Sequence, residues 1–151
     1  ALDSAPDYFI TDFKIVAFDQ SGSKVETLSA NELKHYNEAN ESYLQQPNMS
    51  KSQQGGSWIA KSDSGLINDS TKDINLHGKS EIIHTSKSGN TVHLNADNIL
   101  YNETKQEIFA TGNASLLSES GKTQATDIGV NINDETVSFS GEVNGQYKTA
   151  K

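Results

Sequence analysis

Ile74-Asn75-Leu76-His77-Gly78-Lys79-Ser80-Glu81-Ile82 is the stretch that decides the fold. Apolar or small residues occupy the even positions, and Asn75, His77, Lys79 and Glu81 lie between them. A period of two places one set on each face of an extended strand, with one face buried and the other wet. The pattern recurs outward from this segment. Val92, Leu94 and Ala96 alternate with His93 and Asn95. Val137, Phe139, Gly141 and Val143 alternate with Ser138, Ser140 and Glu142, and Phe9, Thr11, Phe13, Ile15 and Ala17 share one parity. Gly-containing turns at Ser21-Gly22, Gln54-Gly55-Gly56, Ser88-Gly89-Asn90 and Ser120-Gly121 punctuate these runs. The alternation predicts nine strands, over 7–18, 24–36, 42–52, 57–67, 74–85, 91–101, 106–118, 122–132 and 136–147. Ala30 to Tyr36 carries tolerable helix formers, but the Asn, Ser, Thr and Gly content elsewhere argues against helices.

An internal repeat runs through the chain. Asp63 precedes Gly78 by the same spacing that separates Asp97 from Gly112, and Asp127 precedes Gly141 by one residue fewer. Ala30-Asn31-Glu32-Leu33, with Pro47 near the Gly position, is a looser first copy. A fixed period implies stacked supersecondary units, here long hairpins sharing one apolar face. The expectation is one all-β domain over 7–151 after a linker at 1–6.

Composition agrees. Only 33% of the 151 residues are hydrophobic, against roughly 45–50% apolar residues in ordinary domains. The repeated alternation excludes a disordered chain, which would lack it, and the apolar runs are too short to span a membrane. Cysteine is absent, so disulfide frameworks, thiolate metal sites and cysteine nucleophiles are excluded. All 12 basic residues are lysines and the net charge is −8. That balance argues against nucleic acid, whose affinity rests on basic patches, and removes the bidentate phosphate clamp that arginine provides. The chain begins at Ala1 without Met, as expected of a mature product or a trimmed soluble domain.

Catalytic signals are poor. Ser21-Gly22-Ser23-Lys24 matches S-x-x-K, but it falls in an expected loop and no S-D-N or K-T-G follows. His35, His77, His84 and His93 have no metal-ligand spacing, and no phosphate or calcium loop is present. No cofactor is expected. The remaining clue is the inner parity set: Phe13, Ile15, Leu28, Ala30, Leu44, Trp58, Ala60, Leu76, Ile82, Leu94, Ile108, Ala110, Val137 and Phe139. An ordinary sandwich core and an apolar groove for lipid are both compatible with it.

Specific segments point further. His35-Tyr36 followed by Tyr43-Leu44-Gln45-Gln46-Pro47 is similar to a segment of the LptC family of lipopolysaccharide transport proteins. Trp58-Ile59-Ala60-Lys61-Ser62-Asp63, with Leu76-His77-Gly78 after it, resembles that family's W-x-x-K-A-D region and L-x-G strand, with Ser62 in place of Ala. Ala96-Asp97-Asn98-Ile99-Leu100-Tyr101 and Gln106-Glu107-Ile108 extend the likeness, which covers Asp7 to Tyr147. The resemblance implies a twisted antiparallel β-jellyroll open at both ends, in the periplasm, anchored to the inner membrane by a helix preceding this segment. It implies that lipopolysaccharide arrives from the LptB/LptF/LptG ABC transporter and passes to the bridge protein LptA, without chemistry in this chain. Phe13, Leu44 and Val137 match groove positions of the family. Val143 and Tyr147 are expected at the LptA-facing edge, and Tyr8, Ile10 and Asp12 at the transporter-facing edge. A weak homodimer through the open edges is compatible with the same geometry. The rivals are an LptA-like bridge protein, which would have a cleaved signal in place of the anchor, and a carbohydrate-binding or adhesin-like β domain, which would show exposed aromatic platforms.

Overall fold

The computed structural model describes residues 5–53 and 56–147. Residues 1–4 of the expected linker, Gln54-Gly55 of one expected loop, and residues 148–151 lie outside the described residues. Twelve strands follow in order: β1 (Tyr8–Phe18), β2 (Lys24–Tyr36), β3 (Glu41–Gln45), β4 (Asn48–Gln53), β5 (Gly56–Lys61), β6 (Ser64–Asn68), β7 (Ile74–Ser86), β8 (Thr91–Asn102), β9 (Glu107–Ser118), β10 (Gly121–Asn131), β11 (Thr136–Ser140) and β12 (Asn144–Tyr147). All belong to one antiparallel sheet, and no helix occurs among the described residues. Ala30 to Tyr36 lies within β2.

Nine strands were expected and twelve are found, because three of the expected strands break at one place each. The run 42–52 becomes β3 and β4, 57–67 becomes β5 and β6, and 136–147 becomes β11 and β12. These breaks line up across the sheet. The first half of β2 pairs β4 and its second half pairs β3. The first half of β7 pairs β6 and its second half pairs β5. The first half of β10 pairs β12 and its second half pairs β11. A crease therefore crosses every long strand and divides the sheet into two leaves. We call them the Trp58 leaf (β4, β5, β12 and the adjoining strand halves) and the Tyr101 leaf (β3, β6, β11 and the other halves).

Two features build the crease. Residues with positive φ bend the backbone there: Asp12 (φ 47°), Gln46 (φ 52°), Gly78 (φ 81°), Gly112 (φ 82°) and Gly141 (φ 86°). Small side chains also fill its inner side. Continuing the strand registers aligns Ala30, Pro47, Ser62, Ser80, Ala96, Ala114 and Ala125, all buried. Bulkier residues there would hold the leaves apart. Pro47 fits because the ladder is interrupted at this point and makes no use of its missing N–H. Backbone bonds still bridge the line, from Gln46 N–H to Asp63 O (2.8 Å) and from Asp63 N–H to Gly78 O (2.8 Å).

The repeat seen in the sequence is the crease. A Cβ on Gly78 would sit 2.7 Å from Asp63 Oδ2, and one on Gly112 would sit 2.7 Å from Asp97 Oδ2. In the third copy the partner of Gly141 is Thr126, whose Oγ1 would collide with such a Cβ. The expected partner Asp127 is instead the first residue of β10 paired beyond the crease, with Thr111 and Ser140. The spacing is then the same in all three copies.

The crease also resets the alternation. On β8, Leu94 and Ala96 are buried before it, and Ile99 after it. On β2 the switch is from Ala30 to Leu33, and on β10 from Ala125 to Ile128. On β1, Ile15 and Phe13 pair with inward Leu28 and Ala30, whereas Ile10 and Tyr8 pair with inward Leu33 and His35. The expectation that Phe9 shares a face with Phe13 therefore fails. Phe9 is 64% exposed and points outward.

Leu76, Ile82, Leu94, Ile99, Ile108, Ala110 and Ile128 belong to the main core. Ala30, Leu33 and Leu44 form a second cluster beneath β1 to β3, with Phe13 against it. Gly78→Ala should cost about 2–4 kcal/mol, from left-handed strain plus the collision with Asp63. Gly22→Ala, at φ 89° in a turn with nothing within 4 Å, should cost only about 1 kcal/mol. Urea denaturation of both variants checks this ranking.

Candidate functional site

Between the leaves lies an open apolar cavity of about 600 Å³. The Trp58 leaf supplies Ile15, Leu28, Met49, Trp58, Ala60 and Ile82. The Tyr101 leaf faces them with Ile67, Ile74, Leu76, Ile99, Tyr101 and Ile108, and Ile132 closes the far end. Cross-strand register explains the convergence. Ile15, Leu28, Met49, Ala60 and Ile82 form one row across β1, β2, β4, β5 and β7. Ile67, Ile74, Tyr101 and Ile108 form the opposing row across β6 to β9. Such volume and lining suit apolar ligands, with few polar groups to fix them.

Each leaf ends in a polar lip. On the Trp58 leaf, Lys51 Nζ lies 3.6 Å from Glu26 Oε1, and Trp58 packs on His84 with ring centroids 4.2 Å apart. On the Tyr101 leaf, the Tyr101 hydroxyl donates to Glu103 Oε2 (2.5 Å) and accepts from Gln106 Nε2 (2.8 Å). Burial in the apolar wall, followed by the hydrogen bond to Glu103, pushes the Tyr101 phenol up to about 12. Glu103 N–H in turn donates to Asp73 Oδ1 (2.9 Å). Beside them Asp69 accepts from Ser42 Oγ (2.7 Å) and lies 3.2 Å from His35 Nδ1.

His35, Ser42 and Asp69 have the composition of a hydrolytic triad but not its geometry. Ser42 and Asp69 both approach the same ring nitrogen, Nδ1. A proton relay needs the base and the orienting carboxylate on opposite nitrogens. Ser42 is also buried, and Tyr8 of β1 stacks on the His35 ring, with centroids 4.9 Å apart. The cluster fastens β1, β2, β3 and the turn after β6 together.

Among the expected groove residues, Ile15, Leu28, Trp58, Ala60, Leu76, Ile82 and Ile108 line the cavity. Phe13, Ala30 and Leu44 pack in the second cluster instead, and Leu94 and Ala110 are buried in the main core. Phe139 packs against that core, whereas Val137 on β11 is 42% exposed. Of the expected edge residues, Tyr8, Ile10 and Asp12 lie on β1. Tyr147 lies on β12, but Val143 falls in the bend between β11 and β12 rather than on the last strand. Met49, Ile67, Ile74, Ile99, Tyr101 and Ile132 line the cavity without having been expected there. Ile99 lies just past the crease, where a single parity read along β8 gives the wrong face.

The sequence profile of the family described as lipopolysaccharide-assembly, LptC-related, matches residues 1–148. The chain belongs to the LptC-related family. It is thus a component of lipopolysaccharide transport and not an enzyme. No curated protein matches it in sequence. Among solved structures it is similar to LptH from Pseudomonas aeruginosa, described as the LptA-homologous periplasmic component of the lipopolysaccharide transport device. The TM-score is 0.72 at 8% identity, over 82% of this chain and 95% of that one. At that identity the likeness concerns the fold, which is the jellyroll expected from the sequence. Among the described residues no helix is long and apolar enough to cross a membrane.

The Tyr101 network makes a pH prediction. Its folded phenol titrates above the ordinary value of ~10, so the neutral form is favoured in the folded state. The stability this gives is complete below that value and disappears as pH rises toward about 12. A phenolate absorbance titration should show a late phase near pH 12 that Tyr101→Phe removes.

Proposed function

We propose that the chain holds lipopolysaccharide by its acyl chains between the two leaves, receiving it from the inner-membrane LptB/LptF/LptG transporter and passing it to LptA. The observation that carries this reading is the apolar cavity of about 600 Å³ between the two leaves. Apolar burial contributes roughly 25 cal/mol per Å² without directional bonds. A cargo held this way can slide onward, because no position along the groove is fixed by hydrogen bonds.

The sheet's two ends support an edge-to-edge relay. Among the described residues, β1 pairs only with β2, and β11 and β12 pair only with β10. Unpaired backbone groups on such strands template an added strand. In this reading β1, with exposed Tyr8, Phe9 and Ile10, faces the transporter. β11 and β12 face LptA, and a membrane anchor precedes the domain.

Photo-crosslinkers at Ile15 and Leu28, which face the cavity, should capture lipopolysaccharide. The same group at Lys14, which is exposed and on the other parity of β1, should not. Capture confined to position 14 refutes the groove. Truncation after Ser140, which removes β12, should abolish retention of LptA in a pull-down while lipopolysaccharide crosslinking at Leu28 persists. Undiminished retention refutes the edge assignment.

A further inference from the structure

Charge is divided unequally between the leaves. Among the described residues, the Trp58 leaf and its turns carry six lysines against four carboxylates, whereas the Tyr101 leaf and its turns carry three lysines against eleven carboxylates. The crease residues Asp12, Asp63, Lys79, Asp97 and Glu142 belong to neither. The imbalance is sharpest at the cavity mouth. Asp69 and Glu103 line the Tyr101 lip with Asp73 hydrogen-bonded behind Glu103, and Lys72 is the lysine among them. Lys51 lines the opposite lip against Glu26, and it keeps 42% of its side-chain surface exposed. Lys24 and Lys87 stand at the same end of that leaf, on the first residue of β2 and in the β7–β8 turn.

We infer that the phosphorylated headgroup of the bound lipid lies over the Trp58 lip, beside Lys51, and is kept off the Tyr101 lip by Asp69, Asp73 and Glu103. This rests on the groove reading and adds an orientation to it. At physiological ionic strength charges act over about 8 Å, so the lip residues rather than the net charge of −8 decide where a phosphate monoester settles. Lys51 is a positioning residue here. Its ammonium offers a point charge on a flexible stem, able to leave Glu26 for a phosphate without the rigid fork of an arginine. The lipid thereby enters in one sense only, with its acyl chains directed from the Trp58 lip across toward Ile74 and Ile108.

Trp58, the single Trp of the chain, is a built-in reporter on this lip. Bis-phosphorylated lipid A carrying a nitroxide on the headgroup should quench Trp58 strongly. In a Trp58→Phe, Tyr101→Trp variant, the reporter on the other lip should be quenched at least about threefold less. Equal or stronger quenching from position 101 overturns the orientation. Lys51→Gln, a substitution at a half-buried lip position outside the buried core clusters, should weaken binding of bis-phosphorylated lipid A about two- to fivefold. It should leave dephosphorylated lipid A unchanged. An equal loss for both lipids overturns the phosphate contact. Competition by millimolar inorganic phosphate overturns it too, by making the site one for free anions. A nitroxide at the acyl terminus separates the two claims. If it quenches from neither lip, the groove reading itself fails, and the orientation with it.

Discussion

A sheet this long can enclose a lipid-sized space only if every strand bends at the same height, and that alignment is the constraint on which the rest depends. The bend needs left-handed or glycine backbone at 12, 46, 78, 112 and 141. It also needs a row of small side chains inside it, from Ala30 to Ala125. The two requirements are complementary, since backbone freedom lets the strand turn and small volume lets the leaves close. Asp63 under Gly78 and Asp97 under Gly112 show the fit repeated in the same geometry.

From the crease follows the shape of the interior. Near it the leaves are in contact and form a core around Ala96, Ala110, Ala114 and Ile128. Farther out they diverge, and the same apolar rows line an open cavity. Core and binding site are thus one surface at two separations, which explains how a chain only 33% hydrophobic supplies both. The cavity needs no dedicated residues, only rows such as Ile15 to Ile82 continued beyond the point where leaves touch.

The polar groups lie where this geometry leaves them. Inner-face positions at the cavity mouth are less shielded by the other leaf, so they carry Glu26, Lys51 and His84 on one lip and Tyr101 on the other. The Lys51–Glu26 ion pair and the Trp58–His84 ring contact order one lip, and the hydrogen bonds of Tyr101 with Glu103 and Gln106 order the other. His35 and Ser42 are the exception, being buried, and there Asp69 reaches in to satisfy them. That cluster ties the exposed first strand, through Tyr8, to the rim of the cavity.

Strand positions, the all-β class and the family were legible in the sequence, because alternation and turn residues are local properties of extended chain. Cavity residues on one side of the crease, such as Leu28, Ala60 and Ile82, were legible for the same reason. Leu33, Ile99 and Ile128 were not, since an extra residue at the bend moves them to the inner face, and local pattern gives no sign of where alternation restarts. Nor did the sequence separate Leu44 and Ala110, which are sealed in core, from Ile15, which lines open space. The sequence by itself determined which residues share a strand face, because that depends on neighbours along the chain. Only the tertiary structure decided which faces meet, how far apart they stand and which lip carries which charge, because those depend on residues brought together across the crease.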